Sequence, residues 1–140
     1  MARKYRVDLR ITRLLLQIGL MRARQGHFDD ALRIIRSVKD FRDDVPHPAS
    51  ALGLTYLYQG KLKDAQQELL AVLGAFPAHQ IARALLGLVY REAGRTDWQR
   101  PLQEVIEDGS DEWAVGLART WLGSEAPERE QVPPGQRVYA

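Results

Sequence analysis

The chain has 140 residues, 45% hydrophobic and 27% charged, a balance that excludes a disordered polymer and suits a folded domain or a small repeat array. It has no cysteine, which excludes disulfides, thiolate chemistry and cysteine-based zinc sites and fits a reducing, cytoplasmic setting. The net charge of +2 is unevenly spread, since residues 1–40 hold ten Lys/Arg against four Asp/Glu.

The first predicted helix, about residues 6–25, is basic and interrupted. Arg3, Lys4 and Arg6 precede it, but Asp8, Arg10 and Arg13 break what a signal peptide would keep apolar, so no cleaved signal is expected. The run Leu14–Leu16 and Ile18–Met21 is too short to span a bilayer, and no membrane insertion is expected. Basic residues suggest an anionic partner; a solvated basic face is the plainer reading. Few exposed aromatics accompany Arg3, Lys4, Arg6, Arg10 and Arg13, which ranks nucleic acid last among partners.

Further helices are expected at about 28–41, 47–59, 62–75, 79–93, 97–108 and 111–122. "GHFDDA", "GKLKDA" and "GRTDWQ" open the second, fourth and sixth, while Pro46 and Pro77 break the chain between hairpins. The seventh, "DEWAVGLARTWL", carries Trp113, Leu117, Ala118, Trp121 and Leu122 on an apolar stripe and is expected to cap a stack. Residues 124–140 lack periodicity and are expected to be a largely disordered tail.

One interval orders these elements. Gly19, Gly53 and Gly87 are 34 residues apart, and so are Gly26, Gly60 and Gly94. Ala31 and Ala65, Tyr56 and Tyr90, and Leu52 and Leu86 keep the same interval. The first Gly and the Ala permit close approach of two helices, and the second Gly supplies a left-handed turn. The third copy departs, with Gln99 where Ala is due, so its second helix is expected to turn Trp98, Leu102, Val105 and Ile106 inward.

A 34-residue unit with Leu52-Gly53, Tyr56, Gly60, Ala65 and Pro77 resembles the tetratricopeptide repeat. The first copy keeps Ile18-Gly19, Gly26, Phe28 and Ala31 but has Arg22 at the aromatic position. The resemblance implies an all-α TPR-like α-solenoid over residues 1–123: three antiparallel helical hairpins, at about 12–45, 46–79 and 80–110, and a capping helix at 111–122.

No catalytic, cofactor or metal constellation is read. His27, His47 and His79 share no helical ligand spacing, and the pairs Asp29-Asp30, Asp43-Asp44 and Asp111-Glu112 lie at helix ends, where capping explains them. The first helices of successive repeats are expected to line a concave face. There the register places Leu16, Leu20, Ala23, Leu54, Leu57, Tyr58, Ala84, Leu85 and Leu88 as a partner-binding groove. Tetratricopeptide domains that clamp a peptide carboxylate place Lys, Asn and Arg where this chain has Leu16, Leu20, Ala51, Ile81 and Leu85, so a carboxylate clamp is excluded. The leucines packing only against neighbouring repeats is the competing reading.

Residues 77–122, with "ARALLGL", "AG-x-x-DW" and "EVIE", resemble small tetratricopeptide proteins of bacterial type III secretion, among them needle-subunit chaperones. That resemblance implies a cytoplasmic chaperone holding an amphipathic helix of a secreted, self-assembling subunit, with a small co-chaperone on the N-terminal helix. The alternative is a scaffold or assembly factor for a secretion or envelope complex, self-associating through its open first repeat.

Overall fold

A computed structural model describes residues 8–123; the expected tail at 124–140 and the basic residues ahead of Val7 lie outside the described residues. Seven helices and no strands occur among those residues. They are α1 (Leu9–Arg24), α2 (Phe28–Phe41), α3 (His47–Tyr58), α4 (Leu62–Ala75), α5 (Gln80–Glu92), α6 (Gln99–Asp108) and α7 (Glu112–Gly123).

The hairpin turns follow from the glycines. Gly26, Gly60 and Gly94 have φ of 84°, 76° and 79°, the left-handed region that a Cβ penalises. The next N–H in each case, from His27, Lys61 and Arg95, donates back to the carbonyl of Arg22, Tyr56 and Tyr90 at 2.9–3.0 Å. Three equivalent Schellman closures therefore reverse the chain after α1, α3 and α5.

Within each hairpin a glycine sets the crossing. A Cβ on Gly19 would lie 2.7 Å from Ile35 Cγ1, one on Gly53 2.8 Å from Leu69 Cδ2, and one on Gly87 2.9 Å from Leu102 Cγ. The second helices bury a common triplet: Ala31, Ile35 and Val38 on α2, then Ala65, Leu69 and Val72 on α4. The third triplet is Trp98, Leu102 and Val105, with the same internal spacing but one residue early, so Gln99 is exposed. The expected inward turn of the third repeat is thus a one-residue register slip; Ile106, half-buried, packs beside the triplet.

Helices α1, α3, α5 and α7 stand in sequence, each touching the next, with α2, α4 and α6 packed behind them. The core is correspondingly segmented. One cluster joins Leu16, Ile35 and Val38 to Ala51 and Leu52; the next joins Leu69 and Val72 to Ala82, Leu86 and Val89; the last joins Ala84, Trp98 and Leu102 to Ala114 and Ala118. Each cluster seals a junction between successive units, as in a quasi-one-dimensional stack. Lys39 and Glu68, 2.8 Å apart, tie α2 to α4 across one junction.

Helix α7 does close the stack, but not with the whole stripe expected of it. Ala114 and Ala118 are fully buried, and Trp121 and Leu122 pack beside them. Trp113 is 81% exposed, because it lies on the face of α7 turned from the core.

Candidate protein-binding groove

The register identifies the face that α1, α3, α5 and α7 share. Pro48, Leu52 and Thr55 on α3, and Ala82, Leu86 and Val89 on α5, are buried with a four-then-three spacing. On α7 the same spacing falls on Ala114, Ala118 and Trp121, 32 residues after their α5 counterparts. Aligned this way, Arg13, His47, Ile81 and Trp113 form one row across the four helices. Leu20, Leu54, Leu88 and Thr120 form a second, and Arg24, Tyr58 and Glu92 a third.

Burial divides the nine expected groove residues. Leu20, Leu54, Leu57 and Leu88 are half-buried and Tyr58 is 42% exposed, so these present apolar surface. Leu16, Ala23, Ala84 and Leu85 are buried in the monomer, correcting their assignment to a contact surface. The physical reason is the close spacing of the first helices: Leu16, Ser50 and Ala84 sit at the seam with the next one and are covered by it. Of the clamp positions, Ala51 is buried as well.

Trp113, which sequence reasoning placed on the capping stripe, falls in the first of these rows by this alignment. It follows Ile81 by 32 rather than 34 residues, so a strict repeat interval passes over it. The shortening was visible in advance only as the misplaced Gln99. Trp113, Gly116, Leu117 and Thr120, with Glu112, line a shallow depression of about 420 Å³ at this end.

Charge grades the groove along its length. Arg13, Gln17 and Arg24 are exposed at the α1 end, whereas α5 and α7 contribute Glu92, Ile81, Leu117 and Trp113. Midway, the rings of His47 and His79 meet edge to face at 5.1 Å. Burial lowers the pKa of His47, with repulsion from Arg13 adding to it and Asp111 opposing. Burial also pushes His79 down to about 4, with His47 adding to the shift and Asp111 again opposing. Both imidazoles are therefore neutral near pH 7 and add no charge to the middle of the groove.

Several further polar residues that the sequence singles out have structural roles. Arg22, at the aromatic position of the first repeat, donates to Asp30 at 2.7 Å and holds that carboxyl below its usual range. Asp44 pairs with Arg42 at 2.8 Å, and Asp111 accepts from the Ala114 N–H at 3.1 Å to cap α7. His27 stands at the start of α2. No group of three or more His, Asp or Glu side chains among the described residues is arranged to hold a metal ion.

Stacked helical hairpins with an open row of leucines define a helical-repeat scaffold for protein–protein interaction. The family model for the tetratricopeptide repeat matches residues 50–122, just over half of the chain. The chain belongs to the tetratricopeptide-repeat family. No curated protein and no solved structure matches it. No helix among the described residues is long and apolar enough to cross a membrane.

Proposed function

We propose that this protein is a non-enzymatic chaperone that holds the amphipathic helix of a secreted, self-assembling subunit, in the cytoplasm, in the groove formed by α1, α3, α5 and α7. The row Leu20, Leu54 and Leu88, left half-open with Tyr58 and Trp113 beside it, carries the reading. The likeness of residues 77–122 to type III secretion chaperones supplies the class of cargo.

The energetics favour an aromatic anchor. A fully transferred leucine is worth about 1.5–3 kcal/mol, and these leucines are already mostly covered, so each adds only roughly 0.5 kcal/mol. Association itself costs about 4–15 kcal/mol. Trp113 therefore supplies the decisive area, since a buried indole removes roughly 200 Å² from water. The charge gradient orients the cargo, with acidic residues toward Arg13 and Arg24 and its most apolar turn toward Trp113.

The test is co-purification of the tagged chain with co-expressed secreted subunits that carry an amphipathic terminal helix. Capture by the wild type, lost in Leu54→Lys at unchanged helicity, supports the proposal; undiminished capture by Leu54→Lys refutes it.

A further inference from the structure

Among the described residues, the end of the stack opposite α7 presents an uncovered apolar face. On α3 and α5 the residues facing the preceding hairpin are buried: Pro48, Leu52 and Thr55, then Ala82, Leu86 and Val89. Their counterparts on α1, 34 residues before the α3 set, are Leu14, Ile18 and Met21. Leu14 is 53% and Met21 42% exposed, with Ile11, 51% exposed, beside them. A terminal repeat that meets only water has a polar outer face. Here the first helix keeps the stripe that every later repeat buries.

From this face we infer that α1 is a self-association interface, at which two copies of the chain pack their first helices antiparallel about a two-fold axis. Three observations select a second copy. The stripe continues the inter-repeat interface in register, so helix-on-helix packing is what its spacing already serves. It is also symmetric about Leu16: Ile11 and Met21 lie five residues to either side, Leu14 and Ile18 two. Antiparallel pairing therefore sets Leu14 against Ile18 of the other copy and Ile11 against Met21, as an isologous contact requires.

Among the described residues, the arginines that border the stripe, Arg10 and Arg22, are already paired within the chain. Arg22 is held by Asp30 at 2.7 Å, and Arg10 lies 3.6 Å from Asp8. The face does not call for an acid-bordered foreign helix. The two-fold sets Arg22 of one copy level with Arg10 of the other, each beside its own carboxylate. Arg13 and Arg24 lie toward the groove side of α1, so added salt, by screening their residual repulsion, strengthens this dimer; it weakens an acidic heteropartner.

One helix pair covers less than a standard interface, so the dimer is reversible. Light scattering and sedimentation velocity on the full chain, over a roughly hundredfold concentration range, are expected to show a monomer–dimer equilibrium. Leu14→Glu and Ile18→Glu, at exposed and half-exposed positions, leave the fold intact and give monomer throughout. Leu54→Lys, in the groove, leaves the dimer unchanged, which separates this interface from cargo binding. Because the chain has no native cysteine, a mixture of Leu14→Cys and Ile18→Cys chains reports register. Under oxidation the mixed disulfide forms faster than either homodisulfide. A wild type that stays monomeric throughout overturns the proposal, whether residues 1–7 or a foreign helix covers the stripe. So does a dimer that survives both glutamate substitutions.

Discussion

Gly87 lies against Leu102, fifteen residues further on, whereas Gly19 and Gly53 lie against Ile35 and Leu69, sixteen residues on. That slip puts Trp98 at the place that Ala31 and Ala65 hold in the first two hairpins. The indole is accommodated because it stands at the start of α6, where the chain is still entering the helix, with Arg91 over its ring at 5.2 Å. Arg95 stacks on Tyr90 at 3.8 Å and pairs with Asp97 at 2.8 Å, closing the altered turn.

The slip is open to a paired test. Gln99→Ala, on an exposed position, is expected to change stability by no more than about 0.5 kcal/mol. Ala65→Gln, at the fully buried counterpart in the second hairpin, is expected to cost about 3 kcal/mol by forcing α3 and α4 apart. Urea denaturation of the two variants measures both. Equal effects would show that the third hairpin keeps the register of the second.

Glycines in this chain separate into two kinds by what an added methyl meets. Gly53→Ala gains about 1 kcal/mol in helix propensity but drives a Cβ into Leu69, and a net loss of about 1–2 kcal/mol is expected. Gly116→Ala, with nothing within 4 Å of its Cβ, should instead stabilise by about 0.5–1 kcal/mol. Combining Gly53→Ala with Leu69→Ala should be non-additive, the second change relieving part of the first. Thermal melts of the four proteins decide it.

His79 makes stability depend on mild acid. Its folded-state pKa, about 4, lies below the ordinary histidine value near 6.5, so the unfolded chain takes up a proton first as pH falls. Stability is therefore full above about pH 6.5, declines toward pH 4, and loses nothing further from this group below that. A fall in melting temperature of about 3 °C between pH 7 and pH 5 is expected, reduced in His79→Asn but not abolished, since His47 is also held below its ordinary value by burial. Asp30 and Asp97, held below their usual range by Arg22 and Arg95, lose their contribution only in stronger acid, so the two windows are distinguishable. An unchanged slope in His79→Asn would assign the mild-acid loss elsewhere.

Trp113→Ala should separate binding from folding. The side chain is almost wholly exposed, so the melting temperature is expected to stay within about 1 °C of wild type. Affinity for a captured amphipathic helix should fall at least tenfold, to roughly the degree seen for a central aromatic anchor. Titration of a labelled helix gives the comparison, and an unchanged affinity would remove Trp113 from the groove.

The hairpins were legible in one dimension because their requirements admit few residues. A backbone approach as close as that of Gly53 to Leu69, or a φ of 76° at Gly60, leaves almost no choice but glycine. Such constraints recur wherever the geometry recurs, so the 34-residue interval, the all-helical class and the α7 closure could be read from residue identity alone.

Exposure was not legible in that way. Leu16 and Leu20 stand one turn apart on the same helix with the same side chain, yet the first is buried at a seam and the second stays half-open. Nothing local distinguishes them. The difference lies in how near the next first helix comes, and that distance is set jointly by Ser50, Ala84 and the packed triplets behind them. The shortened interval that carries Trp113 into the groove, and the bare stripe on α1, arose likewise from one repeat standing against another, a relation that exists only once the stack has formed.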